Sequence, residues 1–207
     1  MSRRSVCLGT DFDNTVVRYD HLFRQSIEAM GVAIPNEVVD KTALRDLTRA
    51  QPNGELLWQR AQADVYGRRV CDAEMIEGFK AVVEACRERS VHVYVVSHKT
   101  QFAEQDRTLD LRVAAEGWMA DRGFFDPQSL GFRREDIFFE STRTEKVLKI
   151  AEIGCTHFVD DMPEVLTDPD FPAQVKGIWF SETGTTSDLN HARSWPEVQD
   201  HVFDAVE

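Results

Sequence analysis

The sequence has no uninterrupted apolar stretch long enough to span a bilayer, and its N-terminus, MSRRSVCLGTDFDN, offers only a brief apolar run before acidic residues begin. A soluble, unsecreted protein is expected, with no membrane partner. Basic clusters are equally scarce. Arg3-Arg4, Arg68-Arg69 and Arg133-Arg134 are isolated pairs without the interleaved aromatics on which bases stack. With 36 acidic residues against 24 basic ones the formal net charge is -12, a field that repels nucleic-acid phosphates. Nucleic acid is therefore not an expected partner. Cysteine is sparse too: Cys7, Cys71, Cys86 and Cys155 show no CxxC or paired Cys/His spacing, which argues against a zinc or redox centre. Reduced thiols fit a cytoplasmic setting, and Cys7 and Cys86, in apolar stretches, read as small buried hydrophobes. No internal repeat or low-complexity segment is present.

What is there suits one substantial core with a small insertion, the natural content of a chain of 207 residues. Five short runs rich in β-branched and aromatic residues predict strands at Ser5–Thr10, Val91–Ser97, Asp136–Glu140, Thr156–Asp160 and Lys176–Phe180. Near-continuous apolar runs belong to strands buried on both faces, so the expected class is α/β, a three-layer Rossmann-like parallel sheet with helical crossovers. Ala73–Arg89 places Met75, Ile76, Phe79, Val82, Val83 and Cys86 on one face of a helix, and Thr144–Ile153 reads as a second crossover helix ending before Gly154. Between the first strand and the Ala73 helix, three helical patterns (21–30, 37–50 and 55–66) predict a small α-helical cap over residues 18–70, leaving 1–17 and 71–207 as the core. The tail after Phe180 reads as a Gly/Thr/Ser loop followed by a covering helix.

The first strand runs out into Asp11-Phe12-Asp13-Asn14-Thr15, two carboxylates one residue apart where an apolar run meets a loop. Like charges this close call for a cation or a shared proton. In an open parallel sheet, the carboxyl ends of the strands are also where ligands bind. Three more strand exits carry complementary groups: Ser97-His98-Lys99-Thr100 after the second strand, Lys146 at the opening of a helix after the third, and Asp160-Asp161 after the fourth. If all four exits face one crevice, it holds a carboxylate nucleophile, oxygen ligands for a metal ion, and a hydroxyl and an ammonium as donors. Phosphoryl transfer needs such a set.

These motifs, in this order, resemble the haloacid dehalogenase (HAD) superfamily, specifically its phosphatase branch: DxDx(T/V), a strand-end Ser or Thr, a Lys near a helix start, and an acidic pair. The resemblance covers the core from about Ser5 to Phe180. It implies a phosphomonoester hydrolase in which Asp11 attacks phosphorus to form an aspartyl-phosphate. Asp13 protonates the leaving oxygen and then takes a proton from water, for which its pKa should be raised by the neighbouring carboxylates. Ser97 and Lys146 hold the phosphoryl oxygens, and His98, next to the serine, is placed as a further phosphate contact. Lys99 follows on a loop that leaves its direction open. Magnesium, which prefers oxygen ligands, is the implied cofactor, with Asp11, the Asp13 carbonyl and Asp161 as its ligands and Asp160 acting either directly or by orienting its neighbour.

His92 and His157, inside strands, are expected in the core. A helical cap of this type implies a small soluble phosphate ester, and Tyr19, Arg24, Arg45, Arg49, Trp58 and Arg60 are the cap residues that could select it. A dehalogenase would not require a carboxylate at Asp13, so that residue favours phosphoryl chemistry. A phosphomutase shares all four motifs and differs only in how its phosphoenzyme is kept from water. A non-enzymatic phospho-acceptor module of the receiver type carries its acidic pair on the first strand, the reverse of the order here. The leaving group and the oligomeric state are not written in the sequence.

Overall fold

The computed structural model describes residues 6–182, 184 and 188–204. Ser5 and the Arg3-Arg4 pair lie outside the described residues, as do parts of the tail. The first elements are β1 (Cys7–Thr10), β2 (Val17–Arg18), α1 (Asp20–Ala29), α2 (Lys41–Arg49), α3 (Gly54–Ala63) and β3 (Glu74–Met75). Then come α4 (Phe79–Glu88), β4 (His92–His98), β5 (Phe102–Ala103), β6 (Asp106–Asp110), α5 (Leu111–Asp121) and β7 (Ile137–Glu140). The chain ends with α6 (Arg143–Glu152), β8 (His157–Asp160), α7 (Pro163–Leu166), β9 (Lys176–Phe180), β10 (Asn190–Ala192) and α8 (Trp195–Phe203). No helix among the described residues is long and apolar enough to cross a membrane.

Six strands form one sheet in the order β10-β9-β8-β1-β4-β7, and all five neighbouring pairs are parallel. The α/β class and the parallel sheet are thus as the sequence predicts. The sixth strand, β10, falls in a stretch read as loop, because Asn190-His191-Ala192 has no apolar run and is held by pairing with β9 at the sheet edge. β1 and β8, at the centre, are buried along their whole length. The crowding is tightest at Gly9, where a Cβ would come within 2.5 Å of the Phe158 ring and 2.6 Å of Cys155 Sγ. Only glycine fits there without displacing its neighbours.

Two predicted helices begin elsewhere. The pattern from Ala73 becomes helical only at Phe79, since Gly78 takes a left-handed φ of 87° and Glu74–Met75 forms a short strand paired with Val17–Arg18. The second crossover helix is capped by Thr142, not Thr144: the extended Thr142 accepts from the Glu145 backbone N–H at 3.1 Å. Cys7, Cys86 and Cys155 are buried, and burial pushes the Cys86 thiol up to about 12, as suits an inert core residue.

His157 lies buried on β8, with Nδ1 at 2.9 Å from Thr156 Oγ1. The Thr156 hydroxyl already donates to the Cys7 carbonyl at 2.9 Å, so the imidazole must donate to it and carries its proton on Nδ1. Burial, with Lys176 and His201 nearby, lowers the His157 pKa to about 4. Unfolding restores the ordinary value near 6.5, so between these limits the unfolded chain binds the extra proton and stability rises with pH. This contribution is complete above pH 6.5 and is lost as pH falls through about 4, on the order of 3 kcal/mol in total. Denaturant midpoints for wild type and His157→Gln should therefore converge as pH drops from 6.5 to 4. A constant gap would show that His157 is not buried in neutral form.

The chain divides into two compact units. The first comprises Met1–Val17, Met75–Lys99 and Gly123–Glu207, and the second Arg18–Glu74 and Thr100–Arg122. The second unit contains the three insertion helices, a π-helical turn over Asp64–Arg68, the β5-β6 hairpin and α5. Its second segment falls within the 71–207 stretch that the sequence assigns to the core. Within this unit, long-range contacts join Thr100–Arg122 to Arg18–Glu74: the Trp118 indole donates to the Ala73 carbonyl at 2.9 Å, Arg122 to Cys71 and Ala73 carbonyls at 2.9 and 2.7 Å, and Arg68 pairs with Asp106 at 2.5 Å.

Candidate active site

The site lies within the first unit, at the carboxyl ends of its central strands. The Asp11 N–H donates to the Val159 carbonyl at 2.8 Å, carrying the β1-β8 pairing one residue beyond β1. The chain then turns at once. The Phe12 carbonyl receives the N–H groups of Thr15, Val16 and Val17 at 3.4, 2.9 and 3.1 Å, and Asn14 takes a left-handed φ of 60°. The Trp195 indole donates to the Thr15 carbonyl at 2.9 Å, bracing the turn from α8. Phe12 is fully buried and meets Phe139 edge-on, anchoring the stretch between the two aspartates. Asp11 and Asp13 are thereby fixed on a short, hydrogen-bonded corner rather than on a free loop.

Lys146, in the first turn of α6, joins two of the strand exits. Its Nζ lies 2.6 Å from Asp11 Oδ1 and 2.6 Å from Asp160 Oδ2, and the three side chains are 2%, 6% and 0% exposed. Burial alone would lower the Lys146 pKa, but the Asp11 and Asp160 carboxylates outweigh it and hold the ammonium above its usual range. Asp160 is pushed up to about 6 by burial, with Lys146 pulling down and Asp11 pushing up. The Met162 N–H donates to Asp160 Oδ1 at 3.0 Å, and Asn14 Nδ2 to Asp161 Oδ2 at 3.3 Å.

Oxygens of Asp11, Asp160 and Asp161 all lie within 4.8 Å of one another. This donor set is oxygen only and gathers three carboxylates, two of them paired with the Lys146 ammonium. It therefore fits a hard dication such as magnesium. The carboxylate of Asp13 is outside this group, so any metal contact from Asp13 falls to its backbone carbonyl.

Ser97 stands near the end of β4, two residues beyond Val95, the partner of Thr10 on β1. Its side chain is 1% exposed, and Oγ has no hydrogen-bond partner among the described residues. The Thr15 hydroxyl and the Asn14 side-chain carbonyl are likewise buried without partners. Orphaned buried polar atoms cost free energy in a protein interior, so three of them beside an acidic corner point to a polar ligand.

The two residues after Ser97 sort by strand alternation. The Lys99 N–H donates to the Glu140 carbonyl at 2.8 Å, so pairing with β7 continues past His98 and places Ser97 and Lys99 on one face and His98 on the other. His98 is exposed, and its ring Nε2 donates to the Ser141 carbonyl at 3.0 Å. Among the described residues its hydrogen bond is to that carbonyl, on the face opposite Ser97 and Lys99. Lys99, which sequence left undirected, is 3% exposed at its side chain and donates to Asp13 Oδ1 and Oδ2 at 3.0 and 2.8 Å. Lys99 is thus the cationic partner of Asp13, a contact that the sequence reading did not anticipate.

No family model and no curated relative matches the sequence. Solved structures match along almost the whole chain. A HAD-superfamily hydrolase from Ehrlichia chaffeensis superposes with a TM-score of 0.60 at 11% identity, covering 100% of both chains. A HAD family hydrolase from Deinococcus radiodurans with bound phosphate and sodium gives 0.62 at 12% identity over 99% of this chain and 98% of that one.

This chain has the HAD fold.

At such identities the likeness carries the fold and no particular reaction. Protein Tyrosine Kinase A from Mycobacterium tuberculosis matches just as well, at 0.64 and 15% identity over 96% and 99% of the two chains. Within the HAD fold the geometry brings together Asp11, Lys146, Asp160 and Asp161 and adds Lys99 beside Asp13. The candidate selectivity residues of the second unit are mostly committed to packing there. Tyr19 and Trp58 are buried, Tyr19 edge-on to Tyr66 and Trp58 stacked on Phe23. Arg24 donates to the Ile34, Pro35 and Val38 carbonyls, Arg45 pairs with Asp46 and Arg49 with Glu55. Arg60 is exposed.

Proposed function

We propose that this chain is a magnesium-dependent phosphomonoester hydrolase acting on a small soluble phosphate ester in the cytoplasm. The observation that carries this reading is the Lys146 ammonium, 2.6 Å from both Asp11 and Asp160, with Asp161 completing an oxygen-only cluster. Lys146 fixes one oxygen of Asp11, which presents the carboxylate as a nucleophile in a defined orientation. Asp11 attacks phosphorus; the bond from phosphorus to the leaving oxygen breaks, and that oxygen takes a proton from Asp13. Asp13 then removes a proton from water, the hydroxide attacks the aspartyl-phosphate, and inorganic phosphate leaves with Asp11 restored. The Ser97 hydroxyl, otherwise unpartnered, donates to a phosphoryl oxygen. Asp11, Asp160, Asp161 and the Asp13 carbonyl would hold magnesium, which when bound lowers the repulsion between the attacking carboxylate and the anionic ester.

The test is phosphate release by the purified protein from a panel of phosphomonoesters, with magnesium and with EDTA. Release from at least one ester, lost in EDTA and regained on adding magnesium, is expected. Halide release from haloacids without phosphate release would make it a dehalogenase, and magnesium-independent phosphate release would remove the metal from the scheme.

A further inference from the structure

Lys99 is pinned at both ends. Its backbone N–H is bonded to the Glu140 carbonyl at 2.8 Å, so the side chain starts from a fixed point on the sheet. Its Nζ reaches both oxygens of Asp13, at 3.0 and 2.8 Å, and lies 5.8 Å above the Phe12 ring. The lysine side chain is 3% exposed and that of Asp13 15%, so the pair sits out of bulk water. A solvated lysine would gain little from this geometry, and a general phosphate-binding lysine would not need to engage both oxygens of one carboxylate. The other ammonium of the site, Lys146, is committed to Asp11 and Asp160. Each aspartate of the DxD corner therefore has its own buried lysine, one from α6 and one from the end of β4.

We propose that Lys99 is a positioning residue: by gripping both oxygens of Asp13 it holds that carboxylate where it serves the leaving oxygen and the hydrolytic water. This role rests on the phosphatase reading above. A carboxylate at the end of a side chain with two free torsions is productive in only some orientations, and an ammonium bonded to both oxygens removes most of the others. Lys99 acts through Asp13, so removing Lys99 should matter only while Asp13 is present. It should also matter most for esters whose leaving oxygen needs a proton.

The experiment is a double-mutant cycle of Lys99→Met and Asp13→Asn, measured on an alkyl phosphate and on p-nitrophenyl phosphate. On the alkyl ester, Asp13→Asn should lower kcat by about 10²–10⁴-fold, the range for loss of a general acid–base group. Lys99→Met should lower kcat by about 10–10²-fold with little change in KM, the mark of an interaction realised in the transition state. In the Asp13→Asn background the same lysine change should cost less than about twofold, because the two residues act as a unit. On p-nitrophenyl phosphate, whose leaving group needs little protonation, the loss from Lys99→Met should shrink.

Equal losses in both backgrounds, or a raised KM with kcat intact, would make Lys99 a substrate contact and overturn the proposal. If Lys99→Met does not fold, the cycle is run with Lys99→Gln, which retains a donor; the double variant leaves no buried charge unpaired and should fold. Absence of wild-type turnover on every ester would overturn the phosphatase reading, and this role with it. Wild-type turnover with an additive cycle would overturn this role alone.

Discussion

Asp11→Asn is expected to abolish phosphate release, with kcat falling on the order of 10⁴-fold or more, the scale for removing a nucleophile from a set of groups that act together. The neutral amide cannot attack phosphorus to give a hydrolysable acyl-phosphate, and the neighbouring carboxylates Asp160 and Asp13 are already engaged. Asp160 is fully buried against Lys146 and the Met162 N–H, and Asp13 is held by Lys99. The fold should survive the change. Lys146 keeps Asp160 as a partner at 2.6 Å, and the neutral side chain relieves the repulsion that Asp11 exerts on Asp160. Loss of activity with a denaturant midpoint close to that of the wild type would separate chemistry from folding. Residual turnover within about tenfold of wild type would remove Asp11 from the role of nucleophile.

Lys146→Met is expected to damage both stability and catalysis. The ammonium is buried and bridges two carboxylates, so its loss leaves Asp11 and Asp160 facing each other without an internal counter-charge. Breaking a buried ion pair from one side costs about 3–5 kcal/mol, far more than a surface pair is worth. Equilibrium denaturation without metal should show that loss. Adding Asp160→Asn to Lys146→Met should recover part of it, because one of the stranded charges is then gone. In folded protein kcat should fall by about 10²–10³-fold, as for loss of one preorganised donor to a developing charge. A Lys146→Met variant as stable as wild type would mean that the ammonium does not bridge the two carboxylates.

The candidate site was legible where chemistry and strand ends coincide. Asp11, Ser97, Lys146 and Asp160-Asp161 each follow or end an apolar run, and in a parallel sheet such exits meet at one edge. The parallel sheet followed from β1 and β8 being apolar on both faces. The contact of Lys99 with Asp13 was hidden because apolar character stops near Ser97, whereas pairing with β7 runs on through the Lys99 N–H. One further paired residue decides which of His98 and Lys99 shares the serine's face.

Thr100–Arg122 was hidden for a different reason. Its membership of the second unit rests on bonds such as Trp118 to Ala73 and Arg68 to Asp106, between positions that sequence periodicity cannot connect. The start of α4 at Phe79 turns on Gly78 taking a left-handed conformation. Sequence alone permitted the helix to begin six residues earlier.

The central claim is that Asp11 accepts the phosphoryl group. It is tested most directly by incubating the protein with its best ester and magnesium, quenching in acid, reducing with borohydride and mapping the modified residue by peptide mass spectrometry. Borohydride converts an acyl-phosphate to an alcohol and leaves free carboxylates alone. The predicted result is reduction at Asp11 alone, dependent on both ester and magnesium and absent from Asp11→Asn. Steady turnover with Asp11 unmodified, or with the label on another side chain, would contradict it.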